Sequence, residues 1–196
     1  MKTLVAILLL MSATLIAGYD FEIKDGDWFG AQTLTGTQSM LVTGGGGDHL
    51  SLFDKSSAYI QKTSFLFEGI GGIWEIQIAG YSTLVFSGGQ IHWLDTSSYA
   101  QAKLSGGRID QLSSGQDTSL RHIEIICQSG YVYNSTTGFL TGLWGDGSAF
   151  NIRLINVAGY SPTIDNIKFT IIPEPATMLL LAVGGLLLRR KSQQQT

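Results

Sequence analysis

Gly88-Gly89-Gln90-Ile91-His92-Trp93-Leu94 and Gly106-Gly107-Arg108-Ile109-Asp110-Gln111-Leu112 are one phrase written twice. Both copies are entered through a serine, Ser87 and Ser105, and both have the form Gly-Gly-x-Ile-x-x-Leu. A further Gly pair, Gly71-Gly72, precedes the first copy by almost the same interval and opens onto Ile73-Trp74-Glu75-Ile76-Gln77-Ile78. Units this short cannot bury a hydrophobic face alone. They become stable by stacking, with equivalent residues forming ladders. Glycine suits corners that need positive φ, or places where stacked backbones pass closely. The phrase therefore predicts an all-β chain, a short parallel (right-handed) β-helix or solenoid, with Ile91/Ile109 and Leu94/Leu112 as core ladders. The repeat region runs from residue 46 to about 119, and the longer step from Gly46-Gly47 to Gly71-Gly72 needs an insertion. The alternative is a β-sandwich with Gly-rich turns.

No stretch of residues 19–172 shows a helical period with caps. Short β-branched and aromatic runs recur, such as Ser82-Thr83-Leu84-Val85-Phe86 and Asn166-Ile167-Lys168-Phe169-Thr170-Ile171, punctuated by Gly, Asn, Ser and Asp. After residue 120 the period fades. Tyr131-Val132-Tyr133, Phe139 to Trp144 and Ala149 to Asn156 are separated by Asn134-Ser135-Thr136-Thr137-Gly138 and Gly145-Asp146-Gly147-Ser148. Asp-Gly between apolar runs is a hairpin cue. Residues 120–172 thus read as an antiparallel meander capping the end of the solenoid.

The composition removes several classes of function. The chain has 196 residues, 44% of them hydrophobic and 14% charged, too apolar for a disordered tail. It has one cysteine, Cys127, which rules out a disulfide scaffold; inside Ile123-Glu124-Ile125-Ile126 it reads as a small buried hydrophobe. No cluster of Lys and Arg marks a nucleic-acid surface. Residues 19–172 hold 22 of the 25 glycines and carry 8 Lys+Arg against 14 Asp+Glu, a net charge of −6.

The two ends read as address labels flanking this domain of residues 19–172. Residues 1–18 place one early cation, Lys2, before an apolar run and the small pair Ala17-Gly18, the pattern of a signal peptide removed by signal peptidase. Near the other end, Pro173-Glu174-Pro175 precedes an apolar run over 176–188, and then Arg189-Arg190-Lys191. A run of that length makes a marginal membrane helix, and the triple cation acts as a stop signal that stays on the cytoplasmic side. The prolines enforce an extended segment just before it. Over residues 173–196 this order of elements resembles the PEP-CTERM protein-sorting signal, with an ordinary single-span anchor as the alternative. The resemblance implies a bacterium with an outer membrane that makes exopolysaccharide. It also implies transient anchoring in the inner membrane and an exosortase acting near Pro173 to Pro175.

Inside the exported domain the chemistry-bearing residues are sparse. If the two copies stack in register, Asp110 falls about 4.8 Å from His92, with Arg108 close by. A His–carboxylate pair can do acid–base work. Glycoside hydrolysis wants two carboxylates flanking the bond, and no second acid sits beside Asp110, so His92, Arg108 and Asp110 are polar-face candidates rather than catalytic residues. Asp54, Asp95 and Asp117 could line up for Ca²⁺, but read more simply as turn aspartates. His49, His92 and His122 lack ligand spacing, so no metal or cofactor is expected. Trp28, Trp74, Trp93 and Trp144 are expected in the core. The domain therefore reads as a structural or adhesive protein of the cell surface or matrix, without intrinsic catalysis. The alternative is a carbohydrate-binding or polysaccharide-active β-helix. A row of exposed Trp, or two converging carboxylates, would favour that alternative.

Overall fold

The computed structural model describes residues 18–64, 72–116 and 122–172. The strands are β1 (Phe21–Ile23), β2 (Trp28–Leu34), β3 (Ser39–Val42), β4 (Gly46–Leu52), β5 (Ser57–Ile60), β6 (Ile73–Ile78), β7 (Thr83–Phe86) and β8 (Gln90–Ser97). There follow β9 (Gln101–Leu104), β10 (Arg108–Gly115), β11 (Ile123–Cys127), β12 (Val132–Asn134), β13 (Phe139–Leu143), β14 (Ala149–Asn156) and β15 (Ile167–Ile171). Among the described residues one 3-10 turn, Thr163–Asn166, is present, and it leads into the last strand.

Strands from β1 to β11 alternate between two sheets. One sheet has the order β1-β3-β5-β7-β9-β11-β15, and the other β12-β13-β14-β10-β8-β6-β4-β2. Among the described residues every strand pairing is parallel except β12–β13 and β13–β14, with one isolated antiparallel bridge, Cys127 to Trp144, outside the ladders. Each circuit of the chain therefore adds one strand to each sheet. Ile73 lies beside Ile91, and Ile91 beside Ile109, two steps of equal length along the chain. The shorter step from Gly71-Gly72 to Gly88-Gly89 is a local offset: Gly71-Gly72 stands one residue closer to its isoleucine than the later pairs do.

The inward residues of both sheets make one core. In the eight-stranded sheet Leu50, Ile76, Leu94, Leu112 and Leu154 form one continuous ladder. In the facing sheet Met40, Ala58, Leu84, Ala102, Ile123 and Ile167 do the same. Each fully buried Leu or Ile contributes about 1.5–3 kcal/mol, so the ladders supply the main drive for stacking. Glycine permits that stacking at a specific place. Gly107 has φ +75°, and a Cβ there would stand 2.7 Å from the Gly89 carbonyl oxygen and 2.8 Å from the Phe86 ring.

Two boundaries differ from the sequence expectation. The parallel pairing begins well before residue 46, with Phe21 beside Met40 and Trp28 beside Gly46. These first strands lack the Gly-Gly-x-Ile signature because the Phe29 ring occupies the space that an isoleucine side chain at position 47 would need. Residues 120–172 are also not one meander. β11 pairs parallel with β9, β15 with β11, and β14 with β10. The inward alternation of Ile123, Ile125 and Cys127 keeps that strand in the stack. Only β12–β13–β14 is antiparallel, and it prolongs the eight-stranded sheet at its edge. Trp144 anchors this excursion: it is fully buried, its indole N–H donates to the Gly107 carbonyl at 2.8 Å, and its ring lies 4.6 Å from that of Phe150. Asn134 makes a turn, its Oδ1 accepting from the N–H groups of Thr136 and Thr137.

The expected signal helix (1–18) and apolar helix (176–188) lie outside the described residues, apart from Gly18. Among the described residues no helix is long and apolar enough to cross a membrane.

Candidate functional site: an aromatic and polar cleft on the eight-stranded sheet

The repeat spaces its two inward residues three apart, as Ile91 and Leu94 in β8, Ile109 and Leu112 in β10, and Ile73 and Ile76 in β6. Strict alternation would put inward residues two apart. The two residues between them consequently both point away from the core. Each circuit thus sets a pair of adjacent outward side chains at the same place on the sheet: Trp74-Glu75, His92-Trp93, then Asp110-Gln111. The second members form a registered row, His49, Glu75, Trp93, Gln111 and Arg153.

The first members touch one another. The Trp74 and His92 rings stack, with centroids 4.2 Å apart and planes 24° from parallel. His92 Nδ1 lies 3.0 Å from Asp110 Oδ2, and Arg108 Nε donates to Asp110 Oδ1 at 2.6 Å. Both carboxylate oxygens are therefore engaged. Trp93 is steered in a similar way: its indole N–H donates to Ser113 Oγ at 2.9 Å, and that hydroxyl donates to Asp95 at 2.6 Å. Further along the same row as Trp93, His49 Nε2 lies 3.2 Å from Glu75.

His92, Arg108 and Asp110 line one side of a cleft of about 570 Å³, closed on the other by Phe139 of β13 and by Asn151 and Arg153 of β14. The structure thus brings the three polar-face residues together and joins to them a wall that comes from the antiparallel excursion. Among the described residues the lining holds one carboxylate, Asp110. Asp54 and Asp95 do not converge. Asp54 sits in the β4–β5 turn and accepts from the Gly36 N–H, whereas Asp95 lies on β8 rather than at a turn; Asp117 lies outside the described residues.

The tryptophans depart from the core expectation. Only Trp144 is buried; Trp28, Trp74 and Trp93 are 48%, 44% and 38% exposed, all on the outer face of the eight-stranded sheet. Trp74 and Trp93 occupy the outward pair of the repeat, which is why their hydrophobicity does not carry them inside. Cys127 is fully buried, and burial pushes its thiol pKa up.

At the far end of the domain, β15 finishes the seven-stranded sheet and the Ile172 N–H still donates to the Cys127 carbonyl at 2.9 Å. Proline, which has no N–H to offer a ladder, follows at once. A family model described as the PEP-CTERM protein-sorting motif matches residues 172–191. The chain carries a PEP-CTERM sorting motif. It is on this ground an exosortase substrate, exported and processed in association with a membrane. The match spans Pro173, Glu174, Pro175, Arg189, Arg190 and Lys191, all of which lie outside the described residues. No curated protein and no solved structure matches the chain. The PEP-CTERM motif therefore starts where the last strand ends, with no linker between domain and motif.

Several lining residues escape the sequence reading. Beside the cleft, the contact of Trp74 with His92 could have been found by shifting the first unit one residue, which sets Ile73 on Ile91 and Trp74 on His92. Arg153, Phe139 and Asn151 had no such cue, because Leu112 and its sheet neighbour Leu154 lie more than two circuits apart along the chain.

Proposed function

We propose that the exported domain is a saccharide-binding module without intrinsic catalysis, which binds extracellular polysaccharide through the outer face of its eight-stranded sheet. One observation carries this reading: Trp74 and Trp93 are exposed on neighbouring strands of one face, where Trp74 stacks on His92 and Trp93 is registered beside Gln111, two residues that line a polar cleft. Aromatic faces beside a few placed hydrogen-bonding groups suit sugar rings, whose C–H faces stack while their hydroxyls bond. Large apolar side chains clustered on one exposed face, as Trp74 and Trp93 are, mark an interaction surface. The alternation of strands between two parallel sheets supports reading the scaffold as a short two-sided β-solenoid.

Binding rather than cleavage is favoured by the chemistry of the cleft. The one carboxylate in its lining is held by Arg108 and His92, whereas hydrolysis of a glycosidic bond takes a pair. The PEP-CTERM motif supports a destination at the cell surface or in the matrix of a bacterium with an outer membrane, after signal peptidase and exosortase have acted.

Two experiments test this. Retention of the purified protein on immobilised polysaccharides should fall at least about tenfold in Trp74→Ala and Trp93→Ala, a loss on the scale of one aromatic stacking contact. Retention unchanged in both variants refutes the assigned face. Replacing Pro173, Glu174 and Pro175 by alanine should leave unprocessed, membrane-held protein; normal processing would remove the exosortase step from this account.

A further inference from the structure

We propose that the cleft selects an anionic saccharide, whose carboxylate or sulfate is held by Arg153 and Arg108. This rests on the saccharide reading above and specifies its ligand class.

Residues 19–172 carry a net charge of −6, yet among the described residues the cleft lining contains two arginines against one carboxylate. The single acid is already neutralised. Asp110 accepts Arg108 Nε on one oxygen and faces His92 Nδ1 with the other. A guanidinium has five N–H donors, so Arg108 keeps four after this bond. Arg153 keeps all five: among the described residues its side chain makes no ion pair and no hydrogen bond. Its place is set by register, with Gln111 on the adjoining strand β10 and Phe139 on β13. A cation with unspent donors, an amide on one side and a half-exposed ring on the other form a coherent receptor for a charged sugar. The planar fork of arginine matches carboxylate and sulfate geometry with two parallel hydrogen bonds. A neutral glycan offers this residue only hydroxyls.

The surrounding negative charge has a second consequence. It repels polyanions at long range, so an acidic polymer gains from this surface only where its charge reaches the arginines.

The test uses the full-length protein in detergent, titrated with polygalacturonate (carboxylate), a carrageenan (sulfate) and a neutral galactan while tryptophan fluorescence is followed. Galacturonate or carrageenan, or both, should bind at least about tenfold more tightly than galactan, the scale of a charge-assisted hydrogen bond; which of them binds distinguishes carboxylate from sulfate. Arg153→Gln should reduce that preference to near unity while leaving galactan affinity in place, and Arg153→Lys should restore part of it. Lys55→Gln removes the same charge from the β4–β5 turn, at another described cation without an ion pair, and should leave the preference intact. Equal affinity of the wild type for all three polymers overturns the inference while sparing the saccharide reading, and so does a preference that survives Arg153→Gln or is lost equally in Lys55→Gln. Absence of binding to every polymer overturns both.

Discussion

Replacing Gly107 by alanine isolates the physical reason for the Gly pairs. Its φ of +75° costs an alanine about 1–2 kcal/mol. The added methyl would also stand 2.7 Å from the Gly89 carbonyl oxygen and 2.8 Å from the Phe86 ring. Neither neighbour can yield cheaply, since one is backbone of the preceding circuit and the other a fully buried ring, and overpacking of this kind costs about 1–3 kcal/mol. The sum is a loss of about 2–5 kcal/mol. Gly159 supplies the control: its φ is +85°, with nothing within 4 Å of the position of a Cβ. Gly159→Ala should therefore lose only the conformational part, about 1–2 kcal/mol, and the entropy that alanine removes from the unfolded chain is common to both variants. Urea unfolding monitored by circular dichroism measures the two side by side. In thermal unfolding the Gly107 variant should melt roughly 5–15 °C below the wild type for a domain of this size. If Gly107→Ala loses no more than Gly159→Ala, the circuits are not held at close approach through this corner, and the stacking argument for the Gly pairs fails.

Trp144→Ala should cost about 3–5 kcal/mol in urea unfolding, because it empties a fully buried ring site and leaves the Gly107 carbonyl without its donor; a loss below about 1 kcal/mol would mean the antiparallel excursion is held by other contacts. Glu124 is held below its ordinary pKa of 4.5, first by the hydroxyl of Thr170, which donates to it at 2.6 Å, and then by Lys103 and Lys168. A carboxyl with a lowered folded-state pKa stabilises fully above its unfolded value, and loses that contribution as pH falls through the folded one. Glu124→Gln should thus be less stable than the wild type at pH 7, the gap closing below pH 4.5; a gap independent of pH would assign the effect to packing instead.

The parts of this fold that were legible in the sequence are those where physics asks for the same residue at each circuit. Ile91 and Ile109 occupy one ladder and Leu94 and Leu112 another, so their repetition at a fixed interval is visible without a structure, and the corner glycines repeat for the same reason. Legibility ends where one circuit solves the shared problem differently. Phe29 lends its ring to the space above Gly47, so the first strands hide from a search for Gly-Gly-x-Ile. A Gly pair displaced by one residue conceals the equivalence of Trp74 and His92. The long excursion to β14 separates Arg153 from Gln111 in sequence, though the two are neighbours in the sheet. The cleft follows the opposite logic from the core. In Gly-Gly-x-Ile-x-x-Leu the shared letters build the scaffold, while the two unshared letters before Leu are the ones turned outward: Trp-Glu, His-Trp, Asp-Gln. They differ from circuit to circuit because stacking constrains only what faces the core, leaving each outward pair open to a different chemical role. Repetition therefore reveals the frame and is silent about the site, which becomes readable only once register sets Trp74, His92 and Asp110 side by side.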